Sequence, residues 1–294
     1  MQVSANGLSI EVDDQGPVNG DPLLLVMGLG MQLTGWPQPL VDALVQRGFR
    51  VIRFDNRDAG LSTGFDHLGV PNLAVAALKH LVHLPVRAPY RLADMAADAL
   101  GVLDALGIAR AHVVGASMGG MIAQHLAAGQ AARVKSLGLV MTTSGARHLP
   151  QASARVQMAL LSRPDGHHPE AVVAHLQRLL RLIGSPDYPY DPADLHRQLQ
   201  ASVARAWRPA GTARQLAAVA ADGDRTALLA QIGAPTVVVH GEADPLVPVA
   251  AGRELQARIA GATGEFIAGM GHDLPPQLLP RLADVITTNA RRAA

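Results

Sequence analysis

The chain has 294 residues, of which 49% are hydrophobic and 3% aromatic, and its formal net charge is +1. This length predicts one large domain or a core with a lid, and the near balance of acids and bases gives no reason to expect nucleic acid or an anionic membrane as a partner. Because cysteine is absent, disulfides, thiolate metal sites and a cysteine nucleophile are excluded.

The beginning of the chain is not expected to be a signal peptide. Residues 1–16 lack the basic and then apolar order of a signal peptide. The early apolar run at 22–31 is far shorter than the roughly 20 residues that span a bilayer. We therefore expect a soluble, cytoplasmic protein.

Strand-like and helical patterns alternate along most of the chain. Continuous apolar runs are typical of strands buried on both faces, and the alternating run near the start indicates an exposed strand. The predicted strands are 8–16, 22–28, 50–55, 111–115, 134–142, 235–245 and 263–272. Apolar residues at helical spacing predict helices at 39–49, 91–108, 118–129, 249–259 and from 276 onward. The pattern predicts an α/β fold whose mostly parallel central sheet is flanked by helices.

This alternation breaks between residues 146 and 227. Helical segments separated by Pro, Gly and Asp fill that range without a strand-like run. We expect a helical cap inserted after the sixth strand, over the carboxyl edge of the sheet, with 1–145 and 228–294 forming the core. A second, shorter stretch, 63–90, is expected to be irregular.

Ser117 lies between a predicted strand and a predicted helix, within Gly115-Ala116-Ser117-Met118-Gly119. In that context the G-x-S-x-G pattern indicates a nucleophile elbow. The chain must turn sharply, which strains the serine backbone, and small neighbours two residues away let the strand and the helix approach. The hydroxyl would then sit at a helix start, where N–H groups face developing negative charge.

Other interpretations of the same glycines were considered. A glycine-rich turn with an incidental N-cap serine would carry no chemistry. A phosphate loop needs Lys followed by Ser or Thr after the glycines, whereas Gly120 is followed by Met121. The glycines are also not spaced as in a dinucleotide fingerprint.

A serine nucleophile needs a base and an orienting acid. Asp244 lies in GEADPLVP, the polar stretch after the strand residues TVVVH, and His272 lies in GMGHDLP at the polar end of the last predicted strand. The order Ser, Asp, His is that of triad members after a nucleophile elbow, and both loops lie where open sheets place their sites. Ser117 would attack, His272 would carry the proton and Asp244 would hold the imidazole. Glu242 is a rival acid, and Asp273 is disfavoured because it adjoins the histidine.

The oxyanion of a tetrahedral intermediate needs two donors. We expect one from the backbone N–H of Met118, the residue after the nucleophile. The other should come from Leu29 in the loop after the second predicted strand, where Gly28 and Gly30 would let the backbone come close.

Three aromatic side chains are candidates for substrate contact. Trp36 follows the Leu29 loop, and Tyr188 and Trp207 lie in the predicted cap; packing in the core or within the cap is the alternative for each. The neighbouring histidines His167 and His168, and the pair His80 and His83, are interpreted as surface residues. No metal site is expected, since a site needs further ligands at suitable geometry.

These motifs together resemble the α/β-hydrolase superfamily over nearly the whole chain. The segments LLLVMGLG, RFDNRDAGLS, VVGASMGGMIAQHLA, VVVHGEADPLVP and GMGH stand in family order. The resemblance is greatest to single-chain bacterial serine esterases that include aclacinomycin methylesterases. It implies a serine hydrolase with a helical cap and no cofactor, and a structural loop pinned by Asp55 and Arg57. One departure is Met27-Gly28, where many relatives have His-Gly before the oxyanion residue.

The leading hypothesis is therefore a carboxylic ester hydrolase that acts through an acyl-enzyme on a small to medium, largely apolar ester. Lactonase, perhydrolase, thioesterase or carbon–carbon bond hydrolase activity would use the same triad, so the fold cannot choose among them. Dehalogenases and epoxide hydrolases are disfavoured, because they use aspartate at the elbow. A non-catalytic ligand receptor is the alternative from another class. A monomer or a homodimer is expected.

Overall fold

The structure, a computed structural model, describes residues 1–81, 84–166 and 168–293. The interpretations of His83 and His167 lie outside these residues, as does the side chain of His80. Eight strands are described: β1 (Gln2–Ala5), β2 (Leu8–Gln15), β3 (Asp21–Val26), β4 (Phe49–Phe54), β5 (Ala111–Ala116), β6 (Val134–Val140), β7 (Thr236–Gly241) and β8 (Thr263–Ile267).

The strands form one sheet in the order β1-β2-β4-β3-β5-β6-β7-β8. The six strands β3 to β8 run parallel, while β1 and β2 form an antiparallel extension at the edge beside β4. The predicted mostly parallel sheet is confirmed. The parallel strands have their carboxyl ends at one edge, where the loops after β3, β5, β7 and β8 emerge.

Helices cover both faces of this sheet. The helices outside residues 146–227 are α1 (Gln38–Gln46), α2 (Leu73–Leu81), α3 (Leu92–Ala105), α4 (Met118–Gly129), α10 (Ala250–Arg258) and α11 (Leu279–Arg291). Side chains of β3 alternate between two core clusters: Leu24 and Val26 pack with α3 and α4, whereas Leu23 and Leu25 pack with α1 and α11. This burial on both faces explains the continuous apolar run in the sequence.

One expectation for the region before α3 was wrong. Residues 63–90 contain α2, which begins after Asn72, whose side chain accepts the N–H of Val75 at 3.1 Å. The helix leaves Val75 and Leu78 exposed, so its apolar residues do not mark a core-facing stripe. Strand β1 was also not predicted, because it is short and lies at the sheet edge.

The segment predicted as a cap, residues 146–227, is called the cap segment below. It contains α5 (Ala154–Leu161), α6 (Pro169–Ile183), α7 (Pro192–Arg205), α8 (Pro209–Asp222) and α9 (Thr226–Leu229). Three of these helices begin with proline, which suits the first helical position because its missing N–H would have no partner there. Asp191 caps α7 by accepting the N–H groups of Ala193 and Asp194. The division of the chain into a core and a cap remains a prediction.

Buried polar contacts join the cap segment to the sheet loops. Arg214 of α8 donates two hydrogen bonds to the carboxylate of Asp58, at 2.7 and 2.8 Å, and both side chains are essentially inaccessible. Arg205 of α7 donates to Asp55 at 2.7 Å. In the part of the chain that the structure describes, every helix is too short or too polar to cross a bilayer.

Candidate active site

Ser117 occupies the bend between β5 and α4 in a strained backbone conformation, with φ 54° and ψ −120°. A β-carbon on Gly115 would lie 2.2 Å from the carbonyl oxygen of Gly119, and one on Gly119 would lie 2.0 Å from that of Val26. Neither approach is compatible with a side chain. The two glycines therefore permit the tight packing of the helix start against the strand.

Contacts with β6 hold the strained residue. The N–H of Ser117 donates to Val140 O at 2.9 Å, and the Thr142 hydroxyl donates to the carbonyl of Ser117 at 2.7 Å. A strained backbone conformation persists only where several surrounding contacts hold it in place. These bonds fix the direction in which the hydroxyl leaves the bend.

His272 lies between Ser117 and Asp244. Its Nε2 is 3.0 Å from Ser117 Oγ, and its Nδ1 is 2.7 Å from Asp244 Oδ2. The other carboxylate oxygen of Asp244 accepts the N–H groups of Leu246 and Val247, at 2.9 and 2.8 Å. Because a carboxylate is an acceptor, the imidazole proton sits on Nδ1, and Nε2 is left to accept the serine proton.

The two rival carboxylates face elsewhere. Glu242 is exposed and pairs with Arg253 at 2.8 Å. Asp273 is buried and accepts the hydroxyl and the N–H of Ser185, which leaves it outside the chain of contacts from serine to acid. Of the three acids considered from the sequence, the structure brings Asp244 to the imidazole.

The proposed oxyanion donors flank Ser117. A β-carbon on Gly28 would lie 3.2 Å from Ser117 Cβ, so the loop after β3 passes directly beside the nucleophile. Within residues 1–81, 84–166 and 168–293, the N–H groups of Leu29 and Met118 donate to no acceptor. The next N–H, that of Gly30, is taken by Gln215 Oε1 at 2.8 Å.

The segment DNRDAGLS is held by hydrogen bonds of Asp55 and Arg57, as the resemblance implied, and it also contacts the loop after β3. Asp55 accepts the N–H groups of Leu33 and Leu61, at 2.7 and 2.8 Å. Asn56 donates to Met27 O at 2.9 Å, and Arg57 makes a two-point contact with the buried carboxylate of Asp98. Met27 therefore holds this segment through its backbone carbonyl, while its side chain packs in the core cluster that contains Trp36.

The three aromatic candidates differ in their surroundings. Trp36 is fully buried in the core cluster between the sheet and α1, and its Nε1 has no partner among the described residues. Tyr188 is half-buried and packs against the same cluster, whereas Trp207 is 39% exposed. These surroundings favour core packing for Trp36. Contact between a substrate and Tyr188 or Trp207 remains a prediction.

The sequence analysis missed His240, which ends the apolar run of β7. Its Nε2 donates to Val247 O at 2.8 Å and lies 3.5 Å from Asp244 Oδ2. Burial lowers the pKa of His240, so the ring stays neutral and braces the turn that carries the acid. A histidine four residues before the acid, inside a buried strand, was the available signal.

No group of three or more metal-ligating side chains occurs among the described residues.

Comparison with known proteins identifies the family. A family model described as the alpha/beta hydrolase fold matches residues 21–276. Rhodomycin D methylesterase DauP from Streptomyces sp. is 30% identical, with 92% of this chain and 91% of the relative covered. The 3-oxoadipate enol-lactonase 1 of Acinetobacter baylyi is 27% identical, with 88% and 85% covered.

A solved structure with the same fold is the enol-lactonase from Burkholderia xenovorans, with a TM-score of 0.72, 24% identity, and 100% of this chain and 99% of that chain covered. The predicted fold class and the resemblance to serine esterases are confirmed, and an ester-cleaving hydrolase agrees with these relatives. The family model spans most of the chain, and the methylesterase relative is aligned over nearly its full length. The chain thus belongs to the α/β-hydrolase family.

Proposed function

We propose that this chain hydrolyses a carboxylic ester through Ser117, His272 and Asp244. The proposal rests on two contacts of His272. Its Nε2 is 3.0 Å from Ser117 Oγ, and its Nδ1 is 2.7 Å from Asp244 Oδ2. Both distances are within hydrogen-bond reach, as a nucleophile, its base and an orienting acid require.

The first half of the reaction acylates the serine. Ser117 Oγ attacks the ester carbonyl carbon as its proton passes to His272 Nε2, and Asp244 stabilises the imidazolium. The carbonyl oxygen becomes an oxyanion that accepts hydrogen bonds from the N–H groups of Met118 and Leu29. When the tetrahedral intermediate collapses, Nε2 gives its proton to the leaving alkoxide oxygen, and the alcohol departs from the acyl-enzyme.

The second half reverses these proton movements. Water enters where the alcohol left and loses a proton to His272 Nε2 while its oxygen attacks the acyl carbon. Collapse of the second intermediate returns the proton to Ser117 Oγ and releases the carboxylic acid. The reaction needs no cofactor, since the nucleophile, base and oxyanion donors all belong to the chain.

A small to medium, largely apolar ester fits the surroundings of the site. Two arginines of the cap segment that contact the loop after β4, Arg205 and Arg214, are already paired with Asp55 and Asp58, so neither is free to bind a substrate carboxylate. The rhodomycin D methylesterase relative supports an ester as the substrate class. A lactone would pass through the same steps with the alcohol still tethered, which the enol-lactonase relative makes the main alternative.

Hydrolysis of p-nitrophenyl esters, from acetate to decanoate, tests the proposal. Ser117→Ala should lower kcat by up to about 10⁶-fold, the scale seen when a triad serine is removed. Ser162→Ala, an exposed serine after α5, is the matched control and should retain wild-type rates. A fluorophosphonate should label wild type at Ser117 alone, as read by peptide mass spectrometry.

Equal rates for wild type and Ser117→Ala would refute the serine mechanism. Ligand binding without turnover of any ester or lactone would instead favour the receptor reading. A cytoplasmic location and a monomeric or homodimeric state are part of the proposal. Cell fractionation and light scattering after size exclusion test these two points.

A further inference from the structure

The loop that carries His272 is attached to the cap segment, along residues 183–190. The N–H of His272 donates to Ile183 O at 2.7 Å. A β-carbon on Gly271 would lie 2.3 Å from Gly184 O, so the two backbones are in direct contact. The Tyr190 hydroxyl donates to Leu274 O at 2.7 Å. The residues around the proposed base are therefore held by a segment some 80 positions earlier in the chain.

Ser185 contacts both neighbours of His272. Its hydroxyl oxygen accepts the N–H of Gly271 at 2.9 Å, and its hydroxyl proton is donated to Asp273 Oδ1. The N–H of Ser185 donates to the second oxygen of Asp273 at 3.2 Å. Both side chains are buried. One serine thus fixes the chain immediately before and immediately after the histidine.

Stability alone does not account for a carboxylate at Asp273. Among the ion pairs of the described residues, none links Asp273 to Lys or Arg. Burial raises the pKa of Asp273, which reflects the cost of keeping its charge out of water. An apolar side chain of similar size would avoid that cost. The carboxylate accepts two hydrogen bonds from Ser185 of the cap segment. Because Asp273 directly follows His272, these bonds determine where the histidine lies.

We propose that Ser185 and Asp273 are positioning residues that hold His272 in register with Ser117 and so couple the cap segment to catalysis. This inference rests on the proposed function, since it assigns His272 the role of base. It goes further, because it makes the rate of the chemical step depend on a contact between the cap segment and the core. A small displacement of the imidazole would lengthen the 3.0 Å contact that transfers the proton.

The test compares Ser185→Ala with Ser144→Ala. Ser144 is a close match, because it is buried, accepts a backbone N–H from Ala146, and donates its hydroxyl to the carboxylate of Glu254, away from the histidine loop. We expect Ser185→Ala to lower kcat by about tenfold or more with little change in KM, since misplacement by 1 Å costs as much as 10²-fold. Ser144→Ala should keep the wild-type kcat.

A double substitution tests whether the two residues act as one unit. Ser185→Ala combined with Asp273→Asn should lower kcat no further than the more damaging single change, because each removes the same contact. Additive losses would overturn the coupling. The isosteric Asp273→Asn also serves alone should Ser185→Ala fold poorly, and it should lower kcat in the same direction.

A readout that needs no turnover separates this inference from the proposed function. The Nδ1 proton shared by His272 and Asp244 should give a low-field proton resonance, identified by its loss in His272→Gln. We expect that resonance to shift or broaden in Ser185→Ala and to stay unchanged in Ser144→Ala. An unchanged resonance in Ser185→Ala, or equal kcat for the two serine variants, would overturn the inference. Wild type that hydrolyses nothing while the resonance behaves as expected would count against the proposed function alone.

Discussion

Ser117 and His272 face each other across 3.0 Å at one edge of the sheet, yet different parts of the chain hold them. The serine is fixed by its own strand and helix and by the neighbouring β6, all within residues 111–142. The histidine is fixed on one side by Asp244 and on the other by residues 183–190 of the cap segment.

The nucleophile and the base are therefore held in position by two different kinds of contact. The nucleophile depends on close backbone packing, in which Gly115 lets β5 meet the start of α4 and Gly119 lets the start of α4 meet β3. The base depends on contacts that close only when the cap segment is in place. We call Asp244, His272 and the residues of 183–190 that hold the histidine loop the histidine half, and the bend around Ser117 the elbow half. Substitutions in the elbow half should therefore lower the free energy of unfolding. Substitutions in the histidine half should instead lower the reaction rate, with smaller effects on unfolding.

Asp244→Asn should produce the largest effect on the histidine half. The amide Oδ1 can still accept the N–H groups of Leu246 and Val247, but the Nδ2 group faces His272 and favours the wrong tautomer. We expect kcat to fall by about 10⁴-fold, the scale of this change in a serine protease triad, with a melting temperature near that of wild type. Ester hydrolysis and thermal denaturation measure the two quantities.

Glu242→Gln is the control for that experiment, because Glu242 is the exposed carboxylate of the same turn. It should leave kcat unchanged. Loss of activity in Glu242→Gln and retention in Asp244→Asn would reverse the assignment of the acid.

Arg214→Met tests how firmly the cap segment is attached to the core. The substitution leaves the buried carboxylate of Asp58 without its ion-pair partner, and breaking such a pair costs about 3–5 kcal/mol. Urea unfolding should show that loss. Arg197→Met removes an exposed pair with Asp194 and should cost less than about 1 kcal/mol. Equal losses in both variants would mean that burial of the Arg214 pair contributes nothing.

The two halves also differed in how far the sequence could predict them. The elbow was predictable because its signals are local: a buried strand, glycines on either side of Ser117, and a helix follow one another. Asp244 and His272 were predictable because each lies in a polar loop that follows a strand, and because their order after Ser117 is informative. In these cases the residues that fix the site stand next to one another in the sequence, or follow a recognisable strand, so the sequence pattern predicts them.

Long-range contacts leave no such record. Ser185 is an ordinary small polar residue in sequence, and its role depends on Asp273, which lies 88 positions away. Trp36 was a candidate for the acyl pocket, because nothing in its neighbours reveals that it packs between the sheet and α1. Helix α2 was missed because its apolar residues face outward as well as inward. Tertiary packing decides these positions.

Gly119→Ala should break the elbow half through packing. Its β-carbon would overlap Val26 O at 2.0 Å, so the helix start must move away from β3 and carry the Met118 N–H with it. We expect a loss of about 1–3 kcal/mol in the free energy of unfolding, the usual cost of overpacking, together with reduced kcat. Gly129→Ala lies in the same helix with open space around it and should be neutral or stabilising by up to about 1 kcal/mol. Similar destabilisation in both variants would point to helix effects instead of the close approach.

The smallest expected effect is a pH dependence of stability that comes from His240, which lies beside the acid Asp244. Burial holds the pKa of His240 below its ordinary value, so the unfolded chain binds more protons at this residue once the pH drops below about 6.5. Its contribution to stability is complete above that pH and declines as the pH falls toward the folded pKa, by at most about 1.4 kcal/mol per pH unit. Urea unfolding between pH 7.5 and 5.5 should therefore show a shallower decline for His240→Gln than for wild type. Parallel slopes for both proteins would mean that His240 binds its proton equally well in the folded and the unfolded chain, and that burial does not keep its ring neutral.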